Sequence, residues 1–425
     1  MPGDKSISHR VAMLAGIADG TSRVSGYLDS EDCLNTLAAM EQLGAQVSRN
    51  QGTIDITGTG GPLGAPAATI DLGNSGTGVR LLAGLLAGQS FQSEITGDAS
   101  IRRRPMLRIK DPLEQMGGHV ELLGDGDCAP IRITGQPLNG VEYALPMASA
   151  QVKSCVLLAT LFAEGETRVL EPQPTRDHTE RMLRAMGYPV DVDGLTVTIV
   201  GAGAGGPGLR ARDFNVPGDF SSSCFWLAAA AMSPGSDVRV EAVGLNPRRT
   251  GFLDVLRRMG ADVTVESVTE AEGEPRGTVI VRGGELQGVE VTGDEIGNLI
   301  DELPLVAVLG AAAQGETTIR DAGELRKKES DRIDTVVSSL ATMGVEVREQ
   351  PDGMVVRQAG KVSGDVEIDS RGDHRIAMAF AVLAMRAEGA VTICNVDCIQ
   401  TSYPQFWNHL ELLTGQATLV AGDPV

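Results

Sequence analysis

The chain has 425 residues, 42% of them hydrophobic, and a formal net charge of −20 at pH 7. This length predicts two domains, and the negative charge excludes nucleic acid as a partner, because DNA and RNA are bound through cations that neutralise phosphates. No apolar run approaches the roughly 18 to 20 residues of a membrane span, and six scattered cysteines favour buried free thiols, which predicts a protein of the reducing cytoplasm.

Six apolar helical segments recur along the chain, with starts roughly 70 to 80 residues apart. Each follows a short polar stretch and stops at a glycine, and most continue into a strand-like run. A second helix and two further strands complete each unit, although the sixth copy is cut short near Phe406–Leu413. Pro2-Gly3-Asp4 matches Pro217-Gly218-Asp219, which indicates two halves of three units each. The polar stretches begin at Pro2, Asn74, Ser149, Pro217, Asp301 and Asp373.

The first of these helices begins in a cluster of cations and hydroxyls. Lys5 and Arg10 flank its first turn, and either Ser6 or Ser8 is expected as its N-cap. Free backbone N–H groups and the helix dipole favour an anion at this position. The pattern therefore indicates a phosphate or carboxylate site, with a capped surface helix and two solvated cations as the alternative.

Three later segments add donors for an anion. The small-residue loop Asn74–Gly78 is open enough for a ligand to reach backbone N–H groups. Arg102-Arg103-Arg104 precedes Pro105, and because crowded cations need a counter-anion we favour anion binding, by Arg104 above all, over a solvated loop. Ser149-Ala150-Gln151 brings hydroxyl and amide donors to the start of the third repeated helix.

Arg176-Asp177-His178-Thr179-Glu180 opens a further helix. We expect Arg176 to face a ligand, and we expect Asp177, His178 and Glu180 to form a local polar network. A zinc site is disfavoured because no HExxH pattern is present. Further along, the acidic and polar run 266–276 predicts an exposed loop.

The densest group of charges lies in the second half, where Glu324–Arg332 carries seven charged side chains. On a helix, Lys328 and Arg332 would share a face, with Glu329 beside them. The alternative is an ordinary salt-bridged surface helix. Asp373-His374-Arg375 then places another cation at the head of a nearly all-apolar helix, which indicates a ligand site.

Together these segments resemble the 3-phosphoshikimate 1-carboxyvinyltransferase (5-enolpyruvylshikimate-3-phosphate synthase) family over essentially the whole chain. Gly3–Ser6, Ser149–Lys153 and Arg176–Glu180 resemble its class II branch in particular. The matching segments, in the family's order and spacing, are Pro2–Arg10, Gly73–Arg80, Gly97–Met106, Ser149–Gln151, Glu324–Ile333, Asp373–Met378 and Ser402-Tyr403-Pro404.

The resemblance implies an α/β fold of two inside-out α/β barrel domains, each built from three repeated βαβαββ-type units. Residues 5–215 would form the first domain, mainly on the shikimate 3-phosphate side. Residues 216–425 with 1–4 would form the second, mainly on the phosphoenolpyruvate side. The active site would lie in the cleft between the domains, which ligand binding would close. No metal or organic cofactor is implied, and we expect a monomer.

The implied reaction moves the enolpyruvyl group of phosphoenolpyruvate to the 5-hydroxyl of shikimate 3-phosphate by addition and elimination, releasing phosphate on the way to chorismate and aromatic amino acids. Asp301 is implied as the base on the hydroxyl and Glu329 as the proton donor to carbon. The other implied catalytic residues are Lys5, Lys328 and His374. The residues implied to hold shikimate 3-phosphate are Lys5, Ser6, Arg10, Ser149, Ala150, Gln151, Arg176, Asp301 and Lys328. Those implied to hold phosphoenolpyruvate are Lys5, Asn74, Gly76, Arg104, Gln151, Arg332 and Arg375.

Two departures from relatives carry expectations of their own. Gln400-Thr401-Ser402 stands where some relatives have a lysine that contacts phosphoenolpyruvate, so one contact is expected to be missing. Relatives usually have a strand before the position of Met1, and we expect that strand to be missing from the second domain's sheet. Class II members often tolerate glyphosate, which competes for the phosphoenolpyruvate site. We expect partial tolerance here, with Gly76 leaving room where an alanine would crowd the inhibitor.

Two other functions remain as alternatives. The sister enolpyruvyl transferase that acts on UDP-N-acetylglucosamine typically uses a cysteine in the loop before Arg104, and Gly97–Pro105 has none. A non-catalytic anion-binding relative would be expected to have lost Asp301, Glu329 or Lys328, and all three are present.

Overall fold

The computed structural model describes residues 1–50, 52–358 and 360–415 and has a mixed α/β fold. Its α-helices within these ranges are α1 (Lys5–Ile17), α2 (Glu31–Gln42), α3 (Gly76–Ala87), α4 (Leu107–Gln115), α5 (Ala150–Thr160), α6 (His178–Ala185), α7 (Phe220–Ala231), α8 (Gly251–Arg258), α9 (Ile296–Leu299), α10 (Leu303–Ala312), α11 (Arg332–Thr342), α12 (His374–Ala384) and α13 (Phe406–Thr414). Short 3-10 helices cover Ile101–Arg103, Gly293–Glu295, Gly323–Lys327 and Val396–Thr401.

The strands alternate with these helices. They are β1 (Thr21–Ser25), β2 (Gln46–Asn50), β3 (Thr53–Thr57), β4 (Ile70–Asp71), β5 (Gln92–Thr96), β6 (His119–Leu122), β7 (Ile131–Thr134), β8 (Leu138–Asn139), β9 (Glu142–Ala144), β10 (Ala163–Glu164), β11 (Glu166–Leu170), β12 (Val190–Asp193), β13 (Thr196–Val200), β14 (Phe214–Asn215), β15 (Asp237–Gly244), β16 (Asp262–Ala271), β17 (Glu274–Arg282), β18 (Glu290–Val291), β19 (Glu316–Ile319), β20 (Glu346–Gln350), β21 (Gly353–Arg357), β22 (Val362–Ser363), β23 (Val366–Asp369), β24 (Ala387–Glu388) and β25 (Val391–Cys394).

The larger sheets share one pattern of pairing. The four-stranded sheets run β14-β1-β3-β2, β4-β5-β7-β6, β9-β11-β13-β12 and β18-β19-β21-β20. In each, the first pair is parallel and the other two are antiparallel. The parallel pairs β4/β5, β9/β11 and β18/β19 are each bridged by a helix, as parallel strands require a crossover connection.

A long hairpin occupies the segment in which we expected an exposed loop. β16 pairs antiparallel with β17, from Asp262 opposite Arg282 to Ala271 opposite Glu274. The loop prediction for residues 266–276 was wrong because an antiparallel ribbon can keep one face in water, so polar composition does not exclude strands. Contacts of the hairpin tip with α6 hold it in place, including a hydrogen bond from Arg181 Nη1 to Gly273 O (3.0 Å).

Buried apolar side chains form two separate cores. The first runs from Ile7 to Val216 and the second from Phe220 to Leu410. We call the parts of the chain around these cores the first half and the second half. In the first half α3 packs against α1 and α5, and in the second α10 packs against α7 and α12. A Cβ on Gly84 would lie 2.2 Å from Cys155 O, so the close approach of α3 and α5 requires glycine at this position.

The two halves are joined where residues 2–4 and 217–219 run side by side, a feature we call the double connection. Asp4 N donates to Pro217 O and Asp219 N donates to Pro2 O, both at 2.8 Å. Asp4 caps α1 by accepting from Ile7 N (2.9 Å), and Asp219 caps α7 in the same way. The expected Ser6 or Ser8 cap is therefore wrong, because the helix already begins at Lys5.

Among the described residues no helix combines the length and the apolar character that a membrane crossing needs. Four cysteines are buried, Cys394 and Cys398 are half-buried, and no disulfide is formed in the part of the chain that the structure describes.

Candidate active site

A cavity of about 210 Å³ lies between the two halves, and the first turns of several helices end at its wall. Among the described residues that line it, eleven are Lys or Arg and four are Asp or Glu. In a chain with a net charge of −20, this concentration of cations marks a binding site for polyanions. The expected residues that line the wall are Lys5, Ser6, Arg10, Arg104, Ser149, Ala150, Gln151, Arg176, Asp301, Lys328, Glu329, Arg332, His374 and Arg375.

Two expected residues, Asn74 and Gly76, lie just behind the wall. Arg104 Nη2 donates to Asn74 Oδ1 (3.1 Å), and a Cβ on Gly76 would lie 2.9 Å from Arg104 Nη1. Both residues therefore shape the position of Arg104. Glycine here leaves space for that guanidinium and for its neighbour Arg80, whose Nη1 is 2.7 Å from the same Cβ position.

The carboxylate of Asp301 sits among cations from both halves. Arg176 Nη2 donates to Oδ2 at 3.1 Å, while Lys328 Nζ and Arg332 Nη1 lie 3.6 Å from Oδ1. Burial opposes the ionisation of Asp301, but Lys328, Arg375, Arg176 and Arg332 outweigh it and hold the pKa well below 3.8. Asp301 is therefore an ionised carboxylate paired with cations from both halves.

Glu329 bridges two arginines on the opposite side of the same cluster. Its Oε2 accepts from Arg332 Nη2 at 2.6 Å, and its Oε1 lies 3.5 Å from Arg104 Nη2. Burial raises the pKa of Glu329, but the nearby cations, Arg332 and Arg104 foremost, hold it well below 4.5. Arg332 is fixed from behind by Asp373, which accepts from its Nε at 2.8 Å.

Lys328 and Arg332 do not share a helix, and that prediction was wrong. Lys328 is extended (φ −85°, ψ −155°), and α11 begins only at Arg332 because the Asp331 side chain caps it. The extended backbone still brings Lys328 and Arg332 to one carboxylate, that of Asp301. Burial lowers the pKa of Lys328, which suits a group that can exchange a proton.

Lys5 links the cavity to the double connection. Its backbone N–H donates to Asp219 Oδ2 (2.9 Å), and its Nζ pairs with Asp32 Oδ2 (2.6 Å). Burial raises the pKa of Asp32, against the effect of Lys5.

Burial together with the positive charge of Lys5 lowers the pKa of His374 to about 3, so its imidazole is neutral at pH 7.

The first half supplies a wall of neutral donors. Ser149 caps α5 by accepting from Val152 N (3.3 Å). Gln151 is held at both ends of its amide, accepting from Arg80 Nη1 and donating to Thr77 Oγ1, each at 3.0 Å.

Burial, with nearby arginines, lowers the pKa of Arg80 to about 9. We had not assigned Arg80 a role, although a cation inside an apolar helix pattern was a signal for it.

Arg10 is buried and held by three hydrogen bonds, one from each of its guanidinium nitrogens. Its Nη1 donates to Ser6 O (2.9 Å), its Nη2 to Ser154 Oγ (2.7 Å) and its Nε to Thr179 Oγ1 (2.7 Å). Its contact with the cavity is therefore made from a fixed position.

Arg176 faces the cavity as expected, but the local network expected after it forms only in part: Asn246 Nδ2 lies 2.7 Å from Asp177 Oδ1 and 3.5 Å from His178 Nδ1, while Glu180 lies apart from them. His178 Nδ1 contacts Glu274 Oε1 of the second half (2.7 Å). Asp177 instead accepts from Arg181 Nε (2.8 Å). Glu180 pairs with buried Lys153, 2.7 Å from its Nζ. His178 and Glu180 therefore bind partners on other elements, whereas Asp177 pairs with Arg181 of α6 itself, because α6 presents successive residues to different neighbours.

Several wall residues had no predicted role, and apart from Arg80 only tertiary contacts identify them. They are Thr77, Arg80, Arg108, Ala148, Thr175, Asp219, Ser221, Ser222, Phe225, Arg249, Gly297, Ile300, Glu324, Lys327, Met378 and Ser402.

Among the described residues, no group of three or more His, Cys, Asp and Glu side chains has an arrangement that could hold a metal ion.

Comparison with known proteins agrees with this geometry. The family model of EPSP synthase (3-phosphoshikimate 1-carboxyvinyltransferase) matches residues 1–410. Relatives named 3-phosphoshikimate 1-carboxyvinyltransferase include one from Akkermansia muciniphila, 50% identical over 96% of this chain and 94% of the relative. Another, from Methylococcus capsulatus, is 49% identical over 96% of this chain and 92% of the relative.

A solved structure of EPSP synthase from Acinetobacter baumannii superposes with a TM-score of 0.85 at 44% identity, covering 97% of this chain and 94% of the other. The resemblance found in the sequence is thereby confirmed, and the chain belongs to the EPSP synthase (3-phosphoshikimate 1-carboxyvinyltransferase) family.

Proposed function

We propose that this protein transfers the enolpyruvyl group of phosphoenolpyruvate to the 5-hydroxyl of shikimate 3-phosphate, releasing phosphate, in the shikimate pathway to chorismate and aromatic amino acids. One observation carries the proposal: two carboxylates, Asp301 and Glu329, lie in a single cavity crowded with cations from both halves. Two polyanions can be held together only where many cations converge, and acid–base chemistry between them needs carboxylates at that point.

In the first step Asp301 takes the proton of the 5-hydroxyl as its oxygen attacks C2 of phosphoenolpyruvate. Glu329 gives a proton to C3, which becomes a methyl group, and a tetrahedral ketal results. In the second step the Glu329 carboxylate takes a proton from C3, the C2–C3 double bond re-forms, the C2–O bond to phosphate breaks, and phosphate departs with the proton that Asp301 had taken. Lys328, 3.6 Å from Asp301 Oδ1, is placed to stabilise the charge that develops between the two substrates.

We propose that substrate binding raises the pKa of Glu329 and so lets it carry the proton that it donates. Without anions in the cavity, Arg332 and Arg104 keep the pKa of this buried carboxyl low. Phosphate and carboxylate groups of a bound substrate would pair with the same two guanidinium groups and add negative charge beside Glu329. Both effects raise its pKa and favour the protonated form.

The proposed binding roles overlap at Lys5 and Gln151, which serve both substrates. We assign phosphoenolpyruvate to Lys5, Arg104, Gln151, Arg332 and Arg375, together with Asn74 and Gly76, which act from behind the wall by positioning Arg104. We assign shikimate 3-phosphate to Lys5, Ser6, Arg10, Ser149, Ala150, Gln151, Arg176, Asp301 and Lys328. Neutral His374 lies beside Lys5 and accepts or donates one hydrogen bond without adding charge.

We further propose the finer architecture that the family implies: two inside-out α/β barrels of three βαβαββ-type units, residues 5–215 and residues 216–425 with 1–4. The two separate cores and the recurring parallel-then-antiparallel sheets support it. A monomer that acts in the cytoplasm, closes on its ligands and is inhibited by glyphosate with partial tolerance completes the proposal.

The alternative acceptor, UDP-N-acetylglucosamine, is less well supported. Among the described residues no cysteine lines the cavity, and that transferase typically uses one. A non-catalytic role is disfavoured because Asp301, Glu329 and Lys328 all meet at the cavity wall.

The test measures phosphate release from phosphoenolpyruvate with shikimate 3-phosphate, with UDP-N-acetylglucosamine, or with no acceptor. Release that requires shikimate 3-phosphate and disappears in Asp301→Ala is the expected result. Release with the nucleotide sugar would replace the acceptor in the proposal. A folded protein that binds shikimate 3-phosphate but releases no phosphate would contradict catalysis.

A further inference from the structure

Arg249 is a buried cation of the cavity wall to which neither the sequence analysis nor the family resemblance gave a role. It lies in the turn between β15 and α8, in the second half, and its side chain is 6% exposed. Its Nη1 donates to Ser6 Oγ in the first half at 3.1 Å. The contact joins residues 243 positions apart across the boundary between the halves.

Two carboxylates of the double connection hold Arg249. Its Nε lies 3.9 Å from Asp4 Oδ2, and its Nη2 lies 3.6 Å from Asp219 Oδ1. These are the N-caps of α1 and α7. Burial opposes the charge of Arg249, but Asp4 and Asp219 outweigh it and raise its pKa above the ordinary value. The guanidinium is therefore permanently charged and held from two sides.

This contact fixes the direction of the hydrogen bond that Ser6 can offer. A serine hydroxyl has one hydrogen to donate and lone pairs that accept. Arg249 has no acceptor atom, so Ser6 Oγ must accept from it. The Ser6 hydrogen is left for another partner, and no acceptor for it is found among the described residues, whereas Ser6 itself lines the cavity.

We propose that Arg249 is a positioning residue for the acceptor substrate. Arg249 holds the Ser6 hydroxyl so that its hydrogen is donated to an oxygen of shikimate 3-phosphate, and it links this hydroxyl to the double connection. The inference rests on the proposed function and deepens it. Arg249 touches no reacting atom; it acts through Ser6. The effect of losing it is therefore confined to the acceptor side of the cavity.

The main test is Arg249→Lys, which keeps a positive charge between Asp4 and Asp219 but loses the planar fork that reaches three partners. We expect the KM for shikimate 3-phosphate to rise about tenfold, with the KM for phosphoenolpyruvate and kcat changed less than about twofold. In a Ser6→Ala background the same substitution should have no further effect on the KM for shikimate 3-phosphate. Calorimetric titration with shikimate 3-phosphate alone should repeat the pattern.

Glu274→Gln is the matched control. Glu274 lies on the same boundary between the halves and pairs with His178 at 2.7 Å, but it does not line the cavity. It should lower the melting temperature without a selective change in either KM. If Arg249→Lys does not fold, Arg249→Gln combined with Asp4→Asn keeps the local net charge and the N-cap acceptor of α1, and it takes the same measurements.

Equal effects of Arg249→Lys on both KM values, a loss confined to kcat or melting temperature, or effects that add fully to those of Ser6→Ala would each overturn the inference. These outcomes presuppose a wild-type protein that binds shikimate 3-phosphate and releases phosphate. A wild-type protein that does neither would refute the proposed function, and the inference with it, and is thereby distinguished from a failure of Arg249 alone.

Discussion

Replacing Glu329 by glutamine isolates the proton that we assign to this residue. The substitution keeps the size of the side chain and one acceptor oxygen. That oxygen can still accept from Arg332 Nη2, as Glu329 Oε2 does at 2.6 Å in the unsubstituted chain. Arg332 stays anchored because Asp373 accepts from its Nε at 2.8 Å. Arg104 keeps its bond to Asn74 Oδ1 at 3.1 Å. The cavity should therefore hold its shape while the carboxylic proton is lost.

The expected effect falls on the chemical step. A positioned general acid contributes about 10²- to 10⁴-fold in rate, so kcat should fall by that factor, equivalent to about 3–5 kcal/mol of transition-state stabilisation. The same change removes a negative charge beside two arginines, which favours anionic substrates. Both KM values should therefore stay within about threefold of wild type or decrease, a pattern typical of an interaction made only in the transition state.

The assay follows phosphate release at varied concentrations of each substrate, and solvent deuterium incorporation into the vinyl group of the product reports protonation of C3 directly. Glu324→Gln is the control, because Glu324 lines the same cavity and pairs with Arg108 at 3.4 Å, and the chemical change is identical. We expect it to keep kcat within about threefold. A Glu329→Gln protein with more than a tenth of the wild-type kcat would refute the assignment of Glu329 as proton donor.

Three further outcomes are expected. Lys153→Met should lower the free energy of unfolding by about 3–5 kcal/mol in urea titration, because Lys153 is fully buried between two glutamates, 3.0 and 2.7 Å from its Nζ. Its loss leaves buried Glu180 without an ion-pair partner among the described residues, while Glu171 keeps Arg248 at 3.5 Å. A loss under 1 kcal/mol would contradict this. Gly76→Ala should raise the KM for phosphoenolpyruvate about tenfold, because its Cβ would lie 2.7 and 2.9 Å from two guanidinium nitrogens that must shift; an unchanged KM would show that they have room. The pKa of His374 is lowered to about 3 in the folded chain. As the pH falls below 6.5, only the unfolded state therefore takes up this proton, and the free energy of unfolding should fall by about 2 kcal/mol by pH 5 through His374 alone. His374→Gln should reduce the stability difference between pH 7 and pH 5 in urea titrations, and an unchanged difference would contradict the neutral buried imidazole.

Much of the candidate site could be predicted because its residues occupy the starts of repeated helices. A lysine, serine or arginine in the first turn of a helix can be recognised from a short stretch of sequence, because capping, the helix dipole and charge all act within one turn. Lys5 and Arg375 were identified in this way, Arg104 and Arg332 from crowded charges, all with help from the family resemblance, and all four line the cavity.

Predictions failed where a local pattern had two structural solutions. Lys328 and Arg332 suit one face of a helix, yet the Asp331 cap delays the helix and an extended segment brings them together instead. The polar run 266–276 suits a loop, yet pairing with β17 makes most of it a strand. In one case a side-chain cap and in the other a hairpin pairing decides the outcome, and the periodicity of residue types registers neither.

The sequence by itself determined the family, the repeated helix heads and the cations that a polyanion site requires, because these depend on residue type and order. Only the tertiary structure decided which groups meet. Lys5 N reaches Asp219 over 214 positions and Arg249 reaches Ser6 over 243. Those contacts exist because two separate cores set the two halves against each other across one cavity. Tertiary contacts also set the pKa values: cations gathered around Asp301 and Glu329 hold theirs low against the effect of burial, whereas burial and the charge of Lys5 lower that of His374.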